Sequence, residues 1–276
     1  MDEIVRLIER ADEVRKTAST RADPQAVRER AERLLTAARA ALERLDDDAR
    51  RLELAGQIAR RMADLDREVL IAGQAEAGDV ARAPTRVDDP ERVPPGQHLT
   101  AGWPVLHTGA VPDLEVAGFS FTLTGLVERR VRLSWQELQA LPETTITADL
   151  HCVTGWTRLD NTWAGLHPRD LLARAGVRPG ATHALVTGHP AYSANLPLDA
   201  LLADDVLLAW SHDGAPLPPA HGGPLRLVVP ARYAWKSVKW AFELRLLDRD
   251  VPGYWEARGY HNDGDPWREQ RFHGDQ

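Results

Sequence analysis

An α+β fold preceded by an all-α N-terminal extension is what this sequence predicts, and three observations predict it. From residue 1 to about residue 77 apolar side chains recur at spacings of three and four, against a background of Ala, Arg, Glu and Asp with a single proline. Beyond residue 97 the pattern changes to short runs of period 2, broken by turns and by brief helical stretches. Between the two, Pro, Gly, Ala and Asp gather and end in Val93-Pro94-Pro95-Gly96, the composition of a linker. The expected division is a helical extension over 1–77 with two or three antiparallel helices, a linker over 78–96, and an α+β domain over 97–276.

Ile4, Leu7, Ile8, Ala11 and Val14 form a first helical stripe. Val27, Ala31, Leu34, Leu35, Ala38 and Leu42 form a second, and Leu54, Ile58, Met62, Leu65 and Val69 a third. Asp23 before Pro24 makes an N-cap and N1 pair, and one of Asp46, Asp47 and Asp48 is placed to cap the third helix. Such an extension either binds a partner or second subunit, or packs as a solvated bundle on its own core. Strands are expected over Phe119 to Gly125, Thr145 to Cys152, Ala184 to Thr187, Val206 to Trp210 and Leu225 to Pro230. Ser134 is expected to cap a short helix, and further helices fall at Pro168 to Ala175 and Pro197 to Leu202.

Composition narrows the function. A hydrophobic content of 43% supports a real core, while a formal charge of −7 argues against a nucleic-acid binder. The acidic, amphipathic opening Met1-Asp2-Glu3-Ile4 lacks the basic and apolar regions of a secretory signal, and no twin-arginine pair opens the chain. No apolar run approaches membrane-spanning length, so a soluble, cytoplasmic protein is expected.

Cys152 is the sole cysteine. Period-2 alternation sets Ile146, Ala148, Leu150 and Cys152 on one apolar face and Thr147, Asp149 and His151 on the other. Gly155 then permits a turn, and Thr154, Thr157, Trp156 and Arg158 crowd the sulfur, a neighbourhood expected to favour thiolate over thiol. Three readings stand: a small buried hydrophobe, a Cys-His hydrolase recruiting His221 and Asn195, and a metal ligand. Neither HxxxH nor HExxH spacing occurs, which argues against zinc.

The string His151-Cys152-Val153-Thr154-Gly155-Trp156 is followed by His221-Gly222-Gly223-Pro224-Leu225-Arg226-Leu227-Val228-Val229-Pro230. Tyr233-Ala234-Trp235-Lys236-Ser237-Val238-Lys239-Trp240 and a closing segment from Gly253 to Trp267 come next. In order and spacing these resemble the molybdopterin-binding domain of the sulfite oxidase family, closest to small bacterial oxidoreductases without a haem domain. The resemblance covers about residues 93 to 272. It implies a sulfite-oxidase-type fold of mixed sheets with short helices and much loop, and a molybdenum-molybdopterin cofactor with one pterin. The C-terminal β-sandwich of the family's larger members is expected to be absent.

Carried over residue by residue, the resemblance implies that Cys152 ligates molybdenum, completing a shell of pterin dithiolene and oxo groups, with Arg158 keeping the sulfur deprotonated. It places His221, Arg226, Ser237, Val238 and Lys239 on the pterin and its phosphate, His107 and Thr108 on an upstream contact loop, and Thr187 at a further contact. The residues themselves agree about Arg226, which interrupts an apolar strand and needs a partner there. That partner is either a carboxylate or a bound anion, and Lys236 and Lys239 nearby favour the anion. Tyr192 and Asn195, expected in a loop, are substrate-pocket candidates.

The activity so implied is oxygen-atom transfer to or from a small substrate, with S-oxide or N-oxide reduction as the alternative on the same fold. A non-catalytic pterin-binding or assembly module is the third possibility. No haem or iron-sulfur motif occurs, so a separate one-electron redox partner is implied. A homo-oligomer would form through the N-terminal helices.

Overall fold

The computed structural model describes residues 2–16, 24–76, 90–108 and 110–276. Three helices come first: α1 (Asp2–Lys16), α2 (Pro24–Leu42) and α3 (Asp48–Glu76). Ile4, Ile8, Ala11, Ala31, Leu35, Ala38, Leu42, Leu54, Ile58 and Leu65 bury into one shared core, as the stripes require. Asp47 is the capping aspartate, its carboxylate accepting from Arg50 N–H at 3.0 Å. Arg61 grips Asp12 with two guanidinium nitrogens at 2.9 and 2.8 Å, tying α3 to α1. Asp23 and the Val69 side chain lie outside the described residues.

The helices also pack on the rest of the chain. Arg60 pairs with Asp275 at 2.6 Å and lies 4.9 Å over the Phe272 ring. At Gly259, whose φ is +92°, a Cβ would stand 2.2 Å from the Ala55 carbonyl carbon, so only glycine lets this turn lie against α3.

The body opens with β1 (His98–Leu99), β2 (Ser120–Gly125), β3 (Val131–Ser134), α4 (Trp135–Gln139) and β4 (Thr144–His151). It continues through β5 (Trp156–Leu166), α5 (Pro168–Ala175), β6 (His183–Gly188), β7 (Tyr192–Pro197) and α6 (Leu198–Leu201). The strands β8 (Leu207–His212), β9 (Ala215–Pro216), β10 (Arg226–Val228) and β11 (Ala241–Leu247) complete it. Ser134 caps α4 in a reciprocal box with Glu137, the feature its position predicts.

One sheet runs β3-β2-β11-β6-β7, and the other runs β1-β5-β8-β10 with β4 and β9 alongside. The larger core fills the space between them, where Phe121, Leu123, Val186, Leu196 and Leu244 meet Leu208 and Leu227. A second core lies on the far face of the six-stranded sheet, built from Leu207, Ala209, Val228, Trp163, Leu150 and Cys152. Because side chains alternate along β10, Leu227 enters the first core while Arg226 and Val228 face the second. The pleat therefore delivers Arg226 to the side of the sheet that carries Cys152.

β4 keeps Ile146, Ala148, Leu150 and Cys152 together against the second core. Its register with β5 shifts between Ala148 and Leu150, where Arg92 holds the Asp149 carboxylate at 2.9 and 2.6 Å. The opposite face is covered as well: His151 is buried under Trp267, with ring centroids 4.9 Å apart. Tyr192 and Asn195 lie in β7, not in a loop, because residues 192–197 pair along the whole of β6.

Candidate active site

Cys152 sits where β4 ends and the chain doubles back into β5. Its N–H donates to Trp156 O at 2.9 Å, and Gly155, at a φ of +100°, closes the turn by donating to Cys152 O at 3.0 Å. Two side chains from distant segments hold this loop. Gln97 donates to Cys152 O at 3.1 Å, and Arg271 donates to Val153 O at 2.6 Å. The sulfur accepts from Thr154 Oγ1 at 3.1 Å and faces a cavity of about 300 Å³.

The cavity draws its walls from the 103–108 loop, the Cys152 turn, Tyr192, Arg226, the 234–240 segment, Trp255, Tyr260 and, from α2, Arg28. None of its lining residues is acidic, whereas Arg28, Arg226 and Lys239 are all basic. Arg226 is fully buried and donates to the carbonyls of His221 at 2.9 Å and Ser237 at 3.1 Å, with no carboxylate against it among the described residues. Its guanidinium lies 5.6 Å from the Trp103 ring centroid and 5.4 Å from that of Trp163, and burial pushes its pKa down to about 10. Lys239 donates to Ala220 O at 2.8 Å; burial, reinforced by Arg226, lowers its pKa to about 7.

Other expected residues fall into three groups. His107, Thr108, Tyr192 and Ser237 line the cavity beside Cys152, Arg226 and Lys239. His221 stacks on the cavity residue Trp103 at 3.7 Å, and burial with Lys239 and Arg226 nearby lowers its pKa to about 4, so its imidazole is neutral at pH 7. Val238 and Thr187 point elsewhere. The Val238 side chain is buried in the larger core, and Thr187 lies on the face of β6 opposite buried Ala184 and Val186.

The expectation for Arg158 is corrected. Its guanidinium engages Asn161, His212 Nε2 at 3.0 Å and Asp213 at 2.8 Å, and it does not line the cavity. Along β5 it has the parity of the cavity residue Trp156, but its side chain is drawn aside to Asp213 at the end of β8, while the neighbouring Thr157 turns to the other face toward His151 at 2.9 Å. The cations that act on the sulfur are Arg271 and Lys239, yet burial outweighs them and pushes the thiol pKa up. Without a bound metal Cys152 is a thiol at pH 7, not the thiolate its sequence neighbours suggest.

Lys236 is also spoken for. Its ammonium lies 2.6 Å from Glu256 and donates to Asn195 Oδ1 at 2.9 Å and Asn262 O at 2.7 Å, with Lys236, Glu256 and Asn195 all buried. Asn195 serves that buried network and stands apart from the cavity lining, so it forms no pair with Cys152. Residues the sequence did not single out are Arg28, Trp240, Gln97 and Arg271. Arg28 and Arg271 carry no local signal, because a charged residue on a helix or in a tail reads as solvated until the chain folds.

The donor set suits a phosphate-bearing pterin. Among the described residues, a buried guanidinium without a carboxylate, an acid-free cavity lining and the partnerless buried Nε1 of the lining residue Trp156 suit an anionic, polar occupant. Fold and site together define a molybdopterin-dependent oxidoreductase. Residues 108–255, more than half of the chain, match the family described as oxidoreductase molybdopterin binding domain, and the chain belongs to that family.

The chain is 45% identical over 186 residues to the uncharacterized oxidoreductase YuiH of Bacillus subtilis (strain 168), covering 67% of this chain and 94% of that one. It is 33% identical over 156 residues to the catalytic subunit MsrP of the protein-methionine-sulfoxide reductase of Gluconobacter oxydans, covering 50% of this chain and 49% of that one. It is 28% identical over 179 residues to the mitochondrial sulfite oxidase of Drosophila melanogaster, covering 54% of this chain and 31% of that one. The chain thus spans half or less of these two longer relatives. The solved sulfane dehydrogenase SoxCD of Paracoccus pantotrophus aligns at 28% identity and a TM-score of 0.48, covering 51% of this chain and 41% of that one. No described helix is long and apolar enough to cross a membrane.

Proposed function

We propose that the chain transfers an oxygen atom to or from a small substrate, with Cys152 as the one protein ligand to a mono-pterin molybdenum centre. The observation that carries this reading is the Cys152 sulfur facing a cavity that holds Arg226 and Lys239 and no acidic residue. When bound, the cofactor would supply the exchangeable oxygen and accept or release two electrons.

The protein's own residues bind, orient and shield. Arg226 and Lys239 would hold the terminal phosphate, with the Ser237 segment and the neutral His221 as hydrogen-bonding neighbours. His107 and Thr108 would close the pterin from the opposite loop. Burial raises the thiol pKa, and a bound metal would hold Cys152 as the thiolate; Thr154 Oγ1–H, 3.1 Å from the sulfur, is positioned to stabilise that thiolate. Tyr192 lines the cavity with a phenol that burial holds protonated, its O–H committed to Trp235 O. It can therefore orient a substrate as an acceptor and cannot serve as a base.

Electrons leave or enter singly, which calls for a separate redox partner. Reduction of an S-oxide is the second reading, favoured by the likeness to the methionine-sulfoxide reductase subunit and by Arg158 being turned away from the cavity.

The test is metal analysis with paired assays. Protein from molybdate-fed cells should hold about one molybdenum per chain, lost in Cys152→Ser. Sulfite oxidation and reduction of dimethyl sulfoxide are then measured on the same preparation, and whichever proceeds sets the direction. Folded protein that stays free of molybdenum under these conditions overturns the reading.

A further inference from the structure

The turn that presents Cys152 is held through its carbonyl oxygens by three donors beyond the turn itself, and all three lie outside residues 108–255, the region matched by the family. Cys152 O accepts from Gln97 Nε2 at 3.1 Å, Gly155 O from His98 N–H at 2.9 Å, and Val153 O from Arg271 Nη1 at 2.6 Å. Two of these donors follow the linker and the third belongs to the closing tail. Of the three, only Arg271 donates from a guanidinium.

That guanidinium is shared between two segments. Its Nη2 donates to Pro95 O at 3.4 Å, so one planar group joins the Cys152 turn to the Pro94–Gln97 turn. A lysine, with a single point of charge, spans only one of these acceptors. The approach is close enough to demand glycine: at Gly96, with a φ of +68°, a Cβ would stand 3.1 Å from Arg271 Nη2 and 2.8 Å from Glu269 Oε1. Glu269, half exposed and 3.8 Å away, pairs with the guanidinium only loosely. The Tyr233 ring centroid lies 5.2 Å from it, and Tyr233 stacks in turn on the cavity residue Trp235. The tail is fixed from behind as well. Asp275 accepts from the backbone N–H of Arg271 at 3.0 Å and of Phe272 at 2.7 Å while pairing with Arg60 of α3.

We propose that Arg271 is a positioning residue for Cys152, strapping the turn to the chain on either side so that the sulfur stays aimed into the cavity. This rests on Cys152 being the metal ligand of the proposed function. Cys152 lies one residue past the end of β4, whose last pairing with β5 is His151 to Thr157. From there the turn sets its direction, and the carbonyls anchor the turn. Arg271 does not line the cavity, so it acts on the sulfur's position through the Val153 carbonyl. Groups that orient a ligand from one step behind it carry a large share of metal affinity.

The experiment uses the full chain as wild type, Arg271→Met and Arg271→Lys, with the exposed Arg245→Gln as control. Hydrogen exchange is followed by mass spectrometry on fragments covering the turn, residues 150–157, and β6, residues 183–188, and molybdenum is measured on protein from molybdate-fed cells. In Arg271→Met exchange in the turn should quicken about tenfold or more while that in β6 is unchanged, and molybdenum per chain should fall several-fold. Arg271→Lys should recover part of both losses, since one charged donor returns to the Val153 carbonyl, and Arg245→Gln should match wild type. Arg271→Gln takes the place of Arg271→Met if the latter does not fold. Unchanged exchange in the turn overturns the proposal. So does equal quickening in both fragments, which would make Arg271 a general prop, and so does an Arg271→Lys no better than Arg271→Met. A loosened turn that keeps its full molybdenum also overturns it. Wild-type protein without molybdenum would remove the oxygen-transfer reading, while hydrogen exchange still decides whether Arg271 holds the turn.

Discussion

Two buried basic clusters, one around Lys236 and one formed by Arg226 and Lys239, lie within one short stretch of sequence, and they are resolved in opposite ways. Lys236 is neutralised inside the protein by Glu256 at 2.6 Å and by the amide and carbonyl oxygens of Asn195 and Asn262. Among the described residues, Arg226 and Lys239 reach carbonyl oxygens and no carboxylate. A buried cation is tolerated only when something neutralises it, so the first cluster is complete as folded, whereas the second leaves its charge for the anion that the proposed function would bring to the cavity. The contrast separates a structural pillar from a binding cradle more cleanly than residue type does, since the sequence offers both as lysines and arginines near a strand.

The largest effect should come from breaking the pillar. Glu256→Gln strands the Lys236 ammonium and weakens the 2.9 Å bond from Trp235 Nε1, and urea unfolding should show a loss of about 3 to 5 kcal/mol. Replacing both partners with apolar residues should cost clearly less, because no lone charge remains buried. If the single and double variants were equally damaged, the pair would not be the element that matters.

Acid should weaken the molecule next. His151 and His212 both have pKa values lowered to about 4, by burial above all and, after the raising effect of Asp149 and Asp213, by Arg92 and Arg158 respectively. A histidine kept neutral by the fold contributes fully above the unfolded pKa near 6.5. Its contribution falls as pH drops from there toward 4, because the unfolded chain takes up the proton first. The loss should reach about 2 to 3 kcal/mol for each at most, read as a fall in Tm between pH 7 and pH 4.

Arg226→Met should produce the reverse balance to Glu256→Gln. Stability should fall by only about 1 to 2 kcal/mol, for carbonyls left without a donor, while molybdenum retention and sulfate affinity are lost. A variant that unfolds as badly as Glu256→Gln yet keeps its metal would put Arg226 in the pillar. The smallest effect is a titration: with Lys239 near pKa 7, sulfate affinity should weaken several-fold from pH 6 to pH 8. The ammonium loses its proton across that range, Arg226 stays charged with a pKa of about 10, and His221 stays neutral throughout. Lys239→Met should flatten the profile.

Elements with a local cause were legible before folding. The helical stripes, the Ser134 box, the Cys152 strand and its Gly155 turn all follow from spacing, capping and φ preference within a few residues. The cradle was legible in part, because Arg226 breaks an apolar run and the pleat fixes its face. Arg158 was misjudged because only six residues separate it from Cys152 along the chain, but the fold turned its side chain to Asp213.

By itself, then, the sequence determined which residues alternate, cap and turn, and through its motifs the molybdopterin-enzyme family with its single cysteine and the strand that carries Arg226. Only the tertiary structure decided which cations are neutralised, that the cysteine rests as a thiol, and that a helix some 120 residues upstream of it supplies Arg28 to its cavity. The physical reason is range. Propensity and periodicity act over a few residues, whereas charge and desolvation act through space between segments that meet only after the chain has folded.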